Sequence, residues 1–244
     1  MKVFSALIAW FWRTALRTRR REMITRVQSA LHLDRIAAEH FVRTVYRQLS
    51  TSLVECLMLA LKPKTLRQTT IRGWGHLVRL KSAKRGFVVI TAHTGNWELL
   101  THLDYLCGIN GGFVSKRFHW SGFERLLQWT RRESLQQFDV SGSARLLVKA
   151  LIRGQSLGFA VDQHTNNARA INYPFLGMNA WWTTAPARLA RLADVPVVPI
   201  RVYRDEGDTV VEIGAPLRYE WTENRDEDVR AVTEWYAEIV EGWV

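Results

Sequence analysis

Phe87-Val88-Val89-Ile90-Thr91-Ala92-His93-Thr94-Gly95-Asn96-Trp97-Glu98 is the stretch that decides how the rest of this chain is read. Its first five residues form a continuous apolar, β-branched run. Such a run fits a strand buried on both faces, as in a parallel sheet. From Trp97 to Leu106 the pattern turns helical. Gly95 permits a tight turn between the two. The stretch therefore predicts a buried strand running through a short polar corner into a helix. Ligand and catalytic groups gather at the carboxyl ends of such strands.

Two side chains at this corner carry chemistry. His93 follows the strand directly, and imidazole is the side chain best suited to take a proton near neutral pH. Glu98 falls in the first turn of the helix, where a carboxylate could fix the imidazole tautomer and stabilise its charged form. A His and a Glu at this separation also occur by chance. A carboxylate in a first turn is favoured by the helix dipole in any case. Spacing alone leaves a catalytic dyad and a decorated helix start equally open.

Outward from the corner, residues 22–60 read as helical, with Ile24, Val27 and Leu31 and then Ala37, Phe41, Val45 and Leu49 at helical spacing. Lys62-Pro63-Lys64 breaks that pattern. A strand is expected at 112–115, helices at 123–137 and 144–152, and a second buried strand at 157–161. A helix at 184–192 follows, with Thr183 or Thr184 near its cap. Strands at 196–203 and 209–213 and a closing helix at 226–243 complete the reading. Strands alternating with helices predict an α/β fold with a mixed, largely parallel central sheet flanked by helices, preceded by an α-helical segment. No repeat, low-complexity run or Gly/Pro-rich linker interrupts the chain. The expected organisation is one domain over 22–244 behind a short apolar-basic segment at 1–21.

Composition narrows the partners. The chain has 244 residues, is 47% hydrophobic and carries a net charge of +11, which calls for an acidic partner. Nucleic acid, anionic lipid and an acidic carrier protein all qualify. No nucleic-acid motif and no basic face interleaved with aromatics is found, so nucleic acid is not expected. The 11 tryptophans suit an apolar–aqueous interface, though they serve equally as core. The two cysteines, Cys56 and Cys107, make neither a zinc pattern nor a disulfide framework. No metal is expected, because His93, Asp162 and His164 lack ligand spacing. Residues 3–12 are apolar but well short of the ~20 needed to span a bilayer, and basic residues follow at 13–21. That order is unlike a signal peptide. It suits a shallow anchor, with Trp10, Phe11 and Trp12 at headgroup level and arginines on anionic lipid; a terminal helix packed on the protein is the plainer alternative.

His93-Thr94-Gly95-Asn96-Trp97-Glu98 resembles the His-x-x-x-x-Asp/Glu signature of glycerolipid-type acyltransferases. Its Gly-Asn-Trp-Glu ending resembles the bacterial lipid A biosynthesis lauroyl/myristoyl acyltransferase family. Val114-Ser115-Lys116-Arg117 resembles that family's basic segment, and residues 126–132 its arginine-bearing helix. Residues 157–163 resemble its second strand with an Asp-Gln pair. Tyr173-Pro174-Phe175-Leu176-Gly177 and residues 185–199 resemble its aromatic-glycine loop, small-residue helix and Val-Pro strand. The resemblance covers about residues 22–243 and implies a glycerolipid acyltransferase-like fold.

The resemblance also implies a mechanism without cofactor. His93 would deprotonate an acceptor hydroxyl, Glu98 would orient His93, and the hydroxyl would attack an acyl carrier protein thioester. Arg131, with Arg132 as rival, would face the developing oxyanion. Asp162 would hold Arg131 or the acceptor. Lys116, Arg117, Gln163 and Asn96 would contact substrate, and His164 is a weaker candidate. Phe175 and Gly177 would shape the pocket, and Trp181 and Trp182 would line an acyl groove or meet lipid. Each has a bland counterpart: solvated arginines, a strand-end turn, core tryptophans. The implied partners are acyl carrier protein, a lipid A precursor or related lipid acceptor, and an anionic membrane surface. The implied place is the cytoplasmic face of the bacterial inner membrane. The family also implies a tail beyond Val244, which this sequence does not contain. The competing expectation is a non-catalytic membrane- or partner-binding protein of the same fold.

Overall fold

The computed structural model describes residues 17–61, 69–115, 125, 128–131, 136–139, 142–165 and 167–244. In chain order the strands are β1 (Thr70–Arg72), β2 (Val88–Thr91), β3 (Gly111–Ser115), β4 (Gln136–Asp139), β5 (Ser156–Ala160), β6 (Ile171–Phe175), β7 (Met178–Trp182), β8 (Val197–Asp205) and β9 (Asp208–Ile213). The α-helices are α1 (Arg17–Leu31), α2 (Arg35–Leu61), α3 (Trp74–Ser82), α4 (Leu103–Cys107), α5 (Ala144–Ile152), α6 (Ala185–Ala193) and α7 (Arg225–Glu241). A 3-10 turn over Trp97–His102 leads into α4.

Seven strands form one sheet in the order β1-β9-β8-β2-β5-β3-β4, parallel throughout except for the β8–β9 pair. The expected mixed, largely parallel sheet is present. β2 lies at its centre and is buried at all four positions, which explains its unbroken apolar run. Successive side chains of a strand point to opposite faces. Val88 and Ile90 accordingly pack with α5, α6 and α7, through Leu151, Ala187 and Tyr236. Phe87 and Val89 pack on the other face, with Leu77 and Leu80 of α3 and with Leu99 and Leu103. α1 and α2 pair through a smaller cluster of Ile24, Ala38, Val42 and Tyr46.

Local chemistry sets the helix ends that face the site. Pro186 occupies the first turn of α6, where a missing N–H does no harm, and Asp194 ends the helix at φ 49°. Thr184 sits at the α6 cap position, but its hydroxyl donates to the Arg169 carbonyl rather than accepting from a backbone N–H of the helix. Asn224 caps α7 by accepting from the Glu227 N–H. Asp226, Glu227 and Asp228 in that first turn suit the helix dipole.

Two elements depart from expectation. The helix expected at 123–137 is helical at 125 and 128–131, but Gln136–Asp139 is strand β4, paired with β3 at the sheet edge. Four residues with two glutamines carry no local strand signal, so pairing with β3 decides their conformation. Tyr173-Pro174-Phe175-Leu176-Gly177, in which Phe175 and Gly177 were expected to shape the pocket or else to make a simple turn, forms one arm and the turn of a β6–β7 hairpin. Leu176 (φ 50°) and Gly177 (φ 72°) give that turn the two positive φ values a tight hairpin favours. Trp182 is buried in the core and its indole N–H donates to the Tyr173 carbonyl, while Trp181 is exposed. The expected interface residues at 1–16, the break at 62–64, and Lys116, Arg117 and Arg132 lie outside the described residues.

Ile90 is fully buried at the centre of the sheet. Ile90→Ala is expected to lower unfolding stability by about 2–5 kcal/mol, read from urea denaturation midpoints.

Candidate active site

The register of β2 against β5 builds the centre of the site. Thr91 stands opposite Ala160, so each strand reaches its polar residue, His93 or Asp162, two positions further on. The Val161 N–H donates to the Thr91 carbonyl and carries the alignment past the strand ends. Asp162 then grips His93 twice. Its Oδ2 accepts from the His93 backbone N–H at 2.9 Å, and its Oδ1 lies 2.8 Å from His93 Nδ1. An ionised carboxylate only accepts, so Nδ1 carries the ring proton and Nε2 is left as the basic nitrogen. Trp97 packs edge-on to the imidazole at 5.0 Å between centroids. The Gln163 amide nitrogen makes a long 3.3 Å contact to Nε2. Burial pushes the Asp162 carboxyl up, but the hydrogen bonds from His93 and the His93 charge outweigh it, and the net shift is below the usual carboxylate value.

Glu98 does something other than expected. The carboxylate on the His93 ring is Asp162, and Glu98 instead takes both of its oxygens to Arg131, whose Nε and Nη2 each donate at 2.8 Å. This fork is largely buried, with side chains 12% and 15% exposed, and the Arg131 guanidinium stacks over Phe113 at 4.7 Å. The corner therefore holds two matched pairs, His93–Asp162 and Arg131–Glu98, rather than one His–Glu dyad. Asp162, expected to hold Arg131 or the acceptor, holds His93.

Asn96 is 2% exposed and lies behind the site. Its amide N–H donates to Glu55 at 3.0 Å, and its oxygen accepts from the Cys56 thiol at 3.4 Å. Glu55 in turn receives a two-pronged bond from Arg204 of β8, at 2.7 and 2.9 Å. Ser52 donates to the Gly95 carbonyl and Thr94 to the Val202 carbonyl. The corner is thus clamped between α2 and β8, and Asn96 fastens it where a substrate contact was expected. Gly95 is required here: it sits at φ +53°, and a Cβ would meet the Val202 carbonyl oxygen at 2.4 Å. Burial, followed by the Glu98 and Glu55 charges, pushes the Cys56 thiol far up, so it stays neutral and is no nucleophile.

A cavity of about 1180 Å³ opens in front of the corner. His93, Trp97, Glu98, Arg131, Gln163 and His164 all line it, whereas Asp162 supports His93 from beneath, and Phe175, Gly177, Trp181 and Trp182 are not part of its lining. Leu49, Leu53, Leu147, Phe159, Leu189 and Val229 give it apolar walls. Small-molecule pockets measure roughly 300–1,000 Å³, so this one has room for a long chain. A neutral-nitrogen base, an adjacent guanidinium and an apolar trough suit abstraction of a proton and stabilisation of an oxyanion on an amphipathic substrate. Among the described residues no three His, Cys, Asp or Glu side chains gather to hold a metal.

Sequence reasoning missed the partners of both charged groups. Aligning the apolar runs 87–91 and 157–161 end to end would put His93 level with Gln163; the observed register, Val88 opposite Leu157, brings it level with Asp162 instead. For Ser52, Glu55, Cys56 and Arg204 no local signal exists, since they meet the corner only through packing of distant elements.

The family model for the bacterial lipid A biosynthesis acyltransferases matches residues 2–244. Among solved structures, the 1-acyl-sn-glycerophosphate acyltransferase from Thermotoga maritima is similar at 14% identity, covering 98% of this chain and 97% of that one, with a TM-score of 0.43. No curated protein sequence matches.

Because the folded-state pKa of Asp162 is depressed, its stabilisation is present above the unfolded carboxylate value of ~3.9 and is lost as pH falls through the folded value. Asp162→Asn is expected to be less stable than wild type at pH 7. The gap should narrow on acidification below pH ~4. Urea denaturation at pH 3 and pH 7 measures it.

Proposed function

This chain belongs to the bacterial lipid A biosynthesis acyltransferase family and is an acyltransferase of lipid-like substrates; we propose that it moves a fatty acyl group from an acyl carrier protein thioester to a hydroxyl of a lipid A precursor or a related membrane lipid. The observation that carries this reading is His93, held by Asp162 with Nε2 as its basic nitrogen, on the wall of an apolar cavity beside the Arg131–Glu98 fork.

His93 Nε2 takes the proton of the acceptor hydroxyl while Gln163 yields its long contact. The alkoxide oxygen forms a bond to the thioester carbonyl carbon. Charge moves onto the carbonyl oxygen, where the Arg131 guanidinium, oriented by Glu98, stabilises it. Collapse breaks the carbon–sulfur bond, and the proton on His93 passes to the leaving thiolate. The ester is formed, the carrier thiol is released, and His93 returns to its starting state with no acyl-enzyme. Asp162 keeps the tautomer and compensates the transient imidazolium. Glu98 acts on Arg131, so it positions the oxyanion donor rather than the base.

Attachment to the cytoplasmic face of the bacterial inner membrane follows from this reading. Among the described residues no helix is long and apolar enough to cross a membrane. Ile36, 83% exposed, and Phe41 on α2 give the helical hairpin an apolar surface, and the net charge of +11 favours anionic lipid. Lys116 and Arg117 add basic residues for phosphate groups or an acidic carrier.

Transfer from an acyl carrier protein thioester to a lipid A precursor is the direct test. His93→Ala is expected to lower the rate about 10²–10⁴-fold. Asp162→Asn, which unsets the tautomer, should fall by a similar factor, with circular dichroism unchanged. Full activity in His93→Ala would sink the mechanism, and no transfer by wild type to any hydroxylated lipid would sink the function. Glu98→Gln should lower kcat more than it raises KM, as loss of a transition-state interaction does.

A further inference from the structure

The charges along the cavity are not evenly matched. Among the described residues, five arginines line it, Arg131, Arg169, Arg188, Arg191 and Arg225, against one lining carboxylate, Glu98. Arg131 is matched by Glu98, and Arg191 by the buried Asp228, with Trp221 beneath its guanidinium. Arg169, Arg188 and Arg225 remain. Among the described residues the acid that pairs with one of these three is Asp226, 3.7 Å from Arg188, with a side chain 90% exposed. An exposed pair at that distance is worth little.

Local contacts relate the three to one another: Arg169 and Arg188 both meet Thr184, and Arg225 precedes the aspartate that reaches Arg188. The Thr184 hydroxyl donates to the Arg169 carbonyl at 2.8 Å and accepts from Arg188 Nε at 3.1 Å. The Arg169 N–H donates to Asn167, which sets the loop that presents it. Arg225 opens α7, adjacent in sequence to the Asp226 that reaches Arg188. Leu189, Leu192 and Val229 line the same cavity with apolar side chains. Like charges that line one cavity with apolar walls repel, and a bound anion relieves that repulsion.

We propose that Arg169, Arg188 and Arg225 form a phosphate subsite in the cavity, which takes a phosphoryl group carried by one of the two amphipathic substrates. Guanidinium forks match phosphate oxygens in geometry and keep their charge at any working pH. The apolar lining accounts for an acyl-bearing ligand rather than a free ion. The inference rests on the cavity being the acyl-transfer site proposed above.

The test uses the full chain in detergent and two pairs of probes, each differing only in phosphate. The donor pair is dodecanoyl phosphopantetheine and dodecanoyl pantetheine. The acceptor pair is a lipid A precursor and its dephosphorylated form. Calorimetry should show that phosphate tightens binding by about tenfold or more in at least one pair. The pair that responds identifies the substrate bearing the group. Arg169→Gln/Arg188→Gln/Arg225→Gln should remove that advantage, and Arg169→Gln alone, at an exposed position, should reduce it. An advantage below about twofold in both pairs overturns the subsite. So does an advantage that survives the triple substitution, or an equal loss for both members of a pair. Transfer lost in every arm with the phosphate advantage retained would count against the acyltransferase reading. Transfer retained with no advantage counts against the subsite alone.

Discussion

The parallel pairing of β2 with β5 is the constraint on which the site depends. Its register sets Thr91 beside Ala160, and the next two residues on each strand bring His93 level with Asp162. A slip of one residue would turn the apolar side chains to the opposite layers and part the His from its carboxylate at once. Burial of β2 on both faces prevents that slip, because Val88 and Ile90 on one side and Phe87 and Val89 on the other fit different helix sets. Core packing and catalytic geometry are therefore enforced by the same alignment.

A second layer holds the corner against the sheet. The helical segment before the sheet does more than lie beside it: Ser52, Glu55 and Cys56 reach the backbone and side chains of residues 95–96, and Arg204 ties Glu55 to β8. Buried polar groups need partners, and this corner supplies them from two distant elements. The result is a loop that carries reactive side chains yet has its own donors and acceptors largely satisfied by the scaffold. Preorganisation of this kind means that little rearrangement is needed when charge develops.

The sequence was informative where a signal is local. The run from Phe87 to Thr91 announced a central strand, and Val197–Asp205, Asp208–Ile213 and Ala144–Ile152 appeared close to where patterning put them. It was silent at Gln136–Asp139, where four polar-rich residues become a strand only because β3 offers an edge. At Phe175 and Gly177 it left a pocket wall and a simple turn both open, and the stretch belongs to a hairpin outside the cavity lining. In both places pairing with another segment decided the conformation.

At the site itself, residue types and positions were legible: a His after a buried strand, an acid in the next turn, an Arg on a helix and an Asp after a later strand. The choice of partners was not. By itself the sequence determined an α/β sheet with His93 at its carboxyl edge, because strand and helix periodicities are local properties. Only the tertiary structure decided that Asp162 rather than Glu98 serves His93, that Glu98 serves Arg131, and that Asn96 faces inward. Which charge meets which depends on strand register and on how α2 packs, and these long-range contacts arise only when the whole core closes.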